Sequence, residues 1–134
     1  MGCVIAEMIL MSPLFKGKTR NEQLKEIIKV LGTPSAEEIK EMNPDNKKVY
    51  KITSIVHKKW EDVFKGKTED RKFMDLIDKL LVYVLYKRIN SYQAMEHEYF
   101  KEIKERKKEL PKHLFEFTES EKKMFGMEIE RLIC

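Results

Sequence analysis

Aspartates, histidines, cysteines and glycines are the residues on which catalysis or metal binding would rest here. Asp45, Asp62, Asp70, Asp75 and Asp78 are the candidate carboxylates. Each falls on a polar helical face or in a turn, where a solvated role is expected. Phosphoryl transfer needs a cradle for the phosphates, a lysine beside them, metal-binding Asp and Asn, and a base near the accepting hydroxyl. Gly2, Gly17, Gly32, Gly66 and Gly126 never come within phosphate-loop spacing. His57, His97 and His113 are scattered without metal-ligand spacing. Cys3 and Cys134 stand at opposite ends, with no CxxC and no Cys/His cluster. A disulfide framework is not expected, and a reducing, intracellular compartment, cytoplasmic or nuclear, is the simpler expectation. Adjacent motifs assemble no Ser/His/Asp or Cys/His constellation.

The elements that would position such residues read as helices. The chain has 134 residues, 42% of them apolar and 37% charged, with only 5 Gly and 4 Pro. Those proportions fit one globular, helix-rich domain rather than a strand-rich fold. The net charge of +4 is spread among acidic residues. Nucleic-acid binding prefers a one-sided basic face and is not expected. Gly2 to Met11 reads as a helix apolar on nearly every face, the mark of a central, buried helix, ended by Ser12-Pro13. Asn21 to Leu31 places Leu24, Ile27, Ile28 and Leu31 on one face, and Gly32 stops it. Ser35 with Glu38 makes a capping box for a short helix ending near Met42. Asp45 to Val56 is polar and irregular.

Trp60 and Phe64 share a helical face. Thr68 or Glu69 opens a helix with Phe73, Leu76, Ile77, Leu80 and Leu81 inward. Asn90 or Ser91 caps a helix to about His97, and Tyr99 to Lys108 extends as another until Leu110-Pro111 breaks it. His113 to Phe117 is a loop. A last helix, about Glu119 to Ile133, carries Met124, Phe125, Ile129, Leu132 and Ile133, a stripe expected to cover Val4–Met11. Strand content is expected near zero.

The N-terminus invites an acylation reading through Gly2 and Cys3. That pattern wants Ser or Thr at position 6, where Ala6 stands. No basic n-region precedes Val4, so a signal peptide is not expected. The run Val4 to Met11 is interrupted by Glu7 and too short to span a bilayer, so no membrane partner is expected.

Several runs resemble, in collinear order, the large lobe of glycogen synthase kinase (shaggy-type) Ser/Thr kinases of the CMGC group. Gly2-Cys3-Val4-Ile5-Ala6-Glu7 is similar to the GCVLAE start of helix F, the hydrophobic axle of that lobe. Pro13-Leu14-Phe15 with Gly17 resembles the PxFxG loop. Gln23 to Pro44 resembles helix G and the start of the CMGC insert, with Gly32-Thr33-Pro34 at its centre. Trp60, Val63 and Phe64 resemble the end of the insert. Leu80-Leu81 with Tyr83, then Arg88, resemble helix H and the arginine after it. Ala94, His97 and Phe100 resemble helix I, and Leu114-Phe115 with Phe117-Thr118 the LFNFT tail. The resemblance runs from roughly Gly2 to Glu121.

It implies an all-α, partial kinase C-lobe over residues 1–118, with the insert at 33–67 and a tail at 119–134. The family transfers phosphate from ATP, with Mg, to protein Ser and Thr. The Gly-rich loop, strand lysine, HRD and DFG motifs of that chemistry do not occur here. The chain is therefore expected to be truncated before helix F, non-catalytic alone, with no cofactor of its own and no catalytic or metal residues. Met1 stands where the family reads Asp-x-Trp-Ser, Leu85 where its T-P-x-x-R has proline, and Ser91 where a second proline belongs. Arg88 matches an arginine that in the family pairs with the Glu of Ala-Pro-Glu. Here it is expected to reach solvent or a local Glu such as Glu96. Glu7 is expected to point outward.

The alternative is a non-catalytic interaction module. The family's helix G surface takes scaffold helices, so the candidate partner surface is Glu22, Leu24, Glu26 and Val49. Lys25 and Asn46 stand where the family has apolar and aromatic groups, and a helix-in-groove contact wants apolar anchors. An uncovered Val4–Met11 helix also leads to an expectation of self-association.

Overall fold

In the computed structural model, residues 1–45, 53–105 and 116–126 are described. The fold is all-α, and among the described residues there is no strand. The chain divides into two compact units, Met1–Arg88 and Ile89–Cys134.

The first unit is built on α5, Arg71–Leu80. Asp70, not Thr68 or Glu69, is its N-cap. The Asp70 carboxylate accepts from Lys72 N at 2.8 Å and Phe73 N at 3.2 Å, satisfying donors that a helix end leaves orphaned. The helix then presents Phe73, Met74, Leu76 and Ile77 to the interior. Against it lies α4, Trp60–Val63, whose Trp60 and the following Phe64 are both buried. Phe64 meets Phe73 edge to face with ring centroids 5.0 Å apart, a geometry the aromatic quadrupole favours.

α1, Gly2–Leu10, reaches α5 through its smallest residues. Gly2 and Ala6 are its buried positions. A Cβ on Gly2 would stand 2.9 Å from Leu81 Cδ2 and 3.0 Å from Leu80 Cβ. The expected central, buried helix is thus corrected. One small-residue face is covered, while Met1, Val4, Met8 and Met11 are 84%, 58%, 69% and 82% exposed. Met11 ends the helix in the left-handed region at φ 57, ahead of Ser12-Pro13.

α2, Arg20–Leu31, is capped by Thr19, which accepts from Glu22 N. Ile28 is its buried residue, while Leu24, of the same apolar stripe and of the candidate partner surface, is 52% exposed. α3, Ala36–Met42, starts in the expected capping box, with Ser35 and Glu38 exchanging side-chain-to-backbone bonds. After α5 the chain makes a short 3-10 turn at Leu85–Lys87, preceded by the buried Val84.

In the second unit, Asn90 and Gln93 form a reciprocal capping box at the start of α6, Ser91–Glu96. Of the helix expected over Tyr99 to Lys108, Lys101–Glu105 is α7, entered through a 3-10 turn at Glu98–Phe100, and residues 106–108 lie outside the described residues. α8, Glu119–Phe125, has Thr118 and Glu121 in a capping box. Gly126, at φ 51, closes it, so the helix expected to reach Ile133 ends at Phe125. Positive φ is cheap only for glycine, which makes Gly126 a stop signal. Ile129, Leu132, Ile133 and Cys134, like Leu110-Pro111 and His113 to Phe115, lie outside the described residues.

Candidate functional site

The best-built feature of the first unit joins α2 to the segment before α4. Gly32 adopts φ 78 and ψ 176, a region essentially restricted to glycine. The backbone of 53–58 passes directly over it. Thr33 N donates to Ile55 O at 2.9 Å, and Lys58 N donates to Val30 O at 2.9 Å. The Thr33 hydroxyl donates to Thr53 O and accepts from Ile55 N, each at 2.9 Å. The Tyr83 hydroxyl donates to Gly32 O at 2.7 Å. Burial, with Glu38 adding to it, pushes the Tyr83 phenol up to about 12. Gly32-Thr33 is therefore a clasp that fixes both ends of the 33–58 excursion.

A second polar group pins α5 to this segment. Trp60 Nε1 donates to Asp78 Oδ1 at 2.8 Å, and His57 Nε2 lies 3.9 Å from the same oxygen. The His57 ring meets Trp60 edge-on, with centroids 5.3 Å apart. A third ties α3 to the 3-10 turn. Glu41 Oε2 is shielded from solvent without a well-aligned hydrogen bond, and the Lys87 ammonium stands 2.9 Å away. The Lys87 ammonium, then the Tyr86 hydroxyl, hold the Glu41 carboxyl below its usual range. Glu41 in turn raises Lys87 and Tyr86.

The sequence-derived partner surface is divided rather than gathered. Glu22 accepts from Lys18 N at 3.0 Å, and Glu26 pairs with Lys29 at 2.5 Å. These two share a face at i, i+4, but Leu24 lies two residues from each, a spacing that does not bring side chains together. Val49, with Asn46, lies outside the described residues. Glu26 does line an open groove of about 560 Å³ together with the apolar Leu10, Leu14, Val30 and Val63 and the charged Lys16, Lys58 and Asp62.

Arg88 is exposed. Its Nε donates to Val82 O at 2.5 Å and its Nη2 to Tyr83 O at 3.4 Å, so the guanidinium caps local carbonyls. Glu7 is exposed, as expected. Among the aspartates, Asp70 caps α5, Asp75 pairs with Lys79 at 2.6 Å, and Asp78 holds Trp60. The hydroxyls of Thr19, Thr33, Ser35 and Thr118 all serve the backbone.

Among the described residues no group of three or more His, Cys, Asp and Glu side chains is placed to hold a metal, and no helix is long and apolar enough to cross a membrane. Sequence reasoning missed the Tyr83–Gly32, Asp78–Trp60 and Glu41–Lys87 contacts. Only the second had a signal, since a buried indole N–H needs an acceptor. No protein-family model matches the chain.

Proposed function

We propose that this chain is a helical large-lobe segment of the shaggy-type kinase fold, and that alone it does not transfer phosphate. The observation that carries the reading is where the resembling motifs sit. Gly32, Thr33, Trp60, Phe64 and Tyr83, which carry much of the resemblance, are also the residues the packing depends on. Motif residues retained for a fold should be those that the fold needs. ATP and Mg are used by the family through motifs this sequence does not contain. The alternative, a scaffold-helix module, draws on Leu24, an exposed apolar residue on α2.

An experimental structure superposed on the large lobe of a shaggy-type kinase tests the fold. α1 is expected on helix F, α2 on helix G and α5 on helix H, and any other correspondence overturns the assignment. Titration with Mg-ATP tests the chemistry. A site filled at 100 times its Kd raises stability by about 2.7 kcal/mol. The expected result is no saturable rise in Tm, and a saturable rise rejects the non-catalytic reading. An amphipathic scaffold-type helix that binds wild type and fails with Leu24→Asp would favour the alternative.

A further inference from the structure

One pentapeptide occurs twice in the chain. Phe15-Lys16-Gly17-Lys18-Thr19 returns as Phe64-Lys65-Gly66-Lys67-Thr68. The two copies are used alike. Phe15 is half-buried and Phe64 fully buried. Each threonine hydroxyl accepts a backbone N–H at the start of the helix that follows, Thr19 from Glu22 at 3.2 Å and Thr68 from Asp70 at 3.1 Å. Local structure thus uses the Phe and the Thr, and each copy leaves its two lysines in water. Both copies lie at the open groove bordered by α1, α2 and α4. Lys16 lines it from the first copy, and Val63, the residue before Phe64, lines it from the second. Lys58 lines it too, with Lys59 beside it in sequence. Lys16, Lys18, Lys58, Lys59, Lys65 and Lys67 are all exposed, and among the described residues none of them forms an ion pair. Lys29, Lys79, Lys87 and Lys122, by contrast, each hold a carboxylate at 2.5–2.9 Å. Of the groove's own carboxylates, Glu26 is taken by Lys29, which leaves Asp62.

We propose that this groove binds an acidic peptide, a short protein segment whose apolar side chains are flanked by Asp and Glu. The apolar side chains would rest on Leu10, Leu14, Val30 and Val63, and the flanking carboxylates would meet the unpaired lysines. Charge complementarity of this kind steers encounter and makes binding salt-sensitive. The type of cation favours carboxylates. Bidentate recognition of phosphate favours arginine, whereas lysine offers a point charge that accepts varied geometry. Nucleic acid fits less well, because base stacking needs accessible aromatic faces and Trp60 and Phe64 are 6% and 0% exposed. A lipid surface needs apolar side chains that project, and here they line a concavity. Asp62 adds a restriction, since the peptide position that faces it must carry no acid. Glu26 and Val30 lie on the side of α2 turned away from Leu24, two and six residues on at 3.6 per turn. The groove is therefore separate from the scaffold-helix surface, and binding in it neither requires nor tests the kinase-lobe assignment.

Fluorescence anisotropy of the full chain with a fluorescein-labelled peptide, EEDLEIDEE, is the experiment. The expected result is saturable binding that weakens about tenfold between about 50 and 300 mM NaCl. Lys16→Glu with Lys58→Glu should weaken it at least tenfold with Tm retained, and Lys65→Glu with Lys67→Glu should weaken it as well. Lys18→Glu with Lys59→Glu serves as a further pair should the first lose its fold. Lys25→Glu with Lys40→Glu makes the same change of charge at exposed lysines that do not line the groove, and should bind as wild type does. The same peptide with serine in place of Leu and Ile should bind at least fivefold more weakly, and Asp62→Asn should tighten binding of the original. No saturable binding, equal losses from the groove and control pairs, or equal affinity for the serine peptide would each overturn the proposal. So would tighter binding, through the same lysines, of phosphatidylserine vesicles or of a single-stranded oligothymidylate.

Discussion

Two glycines with nearly the same φ separate backbone strain from steric contact. Gly32 has φ 78 and Gly66 has φ 72. A Cβ on Gly32 would stand 2.8 Å from His57 N and 2.9 Å from Ile55 O, both backbone atoms that move only if the clasp moves. A Cβ on Gly66 meets nothing within 4 Å. Gly66→Ala should therefore cost about 1 kcal/mol, the left-handed penalty alone. Gly32→Ala combines a glycine-only φ/ψ region with the loss of the Thr33–Ile55 and Val30–Lys58 pairing, and should cost about 3 kcal/mol or more. Urea unfolding of both variants measures the gap, and equal costs would mean that 53–58 does not lie over Gly32. The sequence marked Gly32 as a helix stop, which explains its φ. It gave no hint of the crossing backbone, because the atoms that crowd Gly32 come from more than twenty residues further along the chain.

Helix ends were legible because capping is local chemistry. Ser35 with Glu38 and Asn90 each lie within three residues of the donors they satisfy. Helix exposure was less legible, because an apolar stripe says that a face seeks cover without saying whether the same unit supplies it. For that reason α1 read as buried, although only Gly2 and Ala6 are. The start of α5 was misplaced for a simpler reason. Thr68, Glu69 and Asp70 are all plausible openings, and only the fold shows that Asp70 receives two N–H groups. α5 carries the central part of the core, so its cap bears on the whole first unit. Asp70→Ala should lower stability by about 1–2 kcal/mol, and Asp70→Asn, which keeps an acceptor, by a few tenths. Thermal unfolding followed by Trp60 fluorescence reads this directly. Equal losses for the two variants would show that charge, rather than the acceptor, is what α5 requires.

At the scale of the whole molecule, titrating groups set opposite limits on stability at the two ends of the pH range. Tyr83 is raised from 10.0 to about 12, and Lys87 and Tyr86 are raised as well. A raised pKa means that the folded state holds its proton where the unfolded chain has released it. That contribution is complete below the unfolded pKa and lost as pH climbs through the folded one. Stability should thus fall between about pH 10 and 12. Glu41, Glu119 and Glu121 are lowered, Glu41 by Lys87, Glu119 by Lys122 and Glu121 by Thr118. Their contribution is complete above the ordinary carboxylate range and lost as pH falls through their folded values. Tyr83 is the informative residue because its phenol also holds Gly32 O. Tyr83→Phe should cost about 1 kcal/mol at neutral pH through the lost hydrogen bond. It should also flatten the alkaline decline, because the titrating group is gone, leaving Lys87 and Tyr86 to account for what remains. Urea midpoints for wild type and Tyr83→Phe at pH 7, 10, 11 and 12 give both quantities. Parallel curves displaced by a constant amount would show that Tyr83 ionises freely in the folded chain, and that its hydroxyl does not rest on the Gly32 carbonyl.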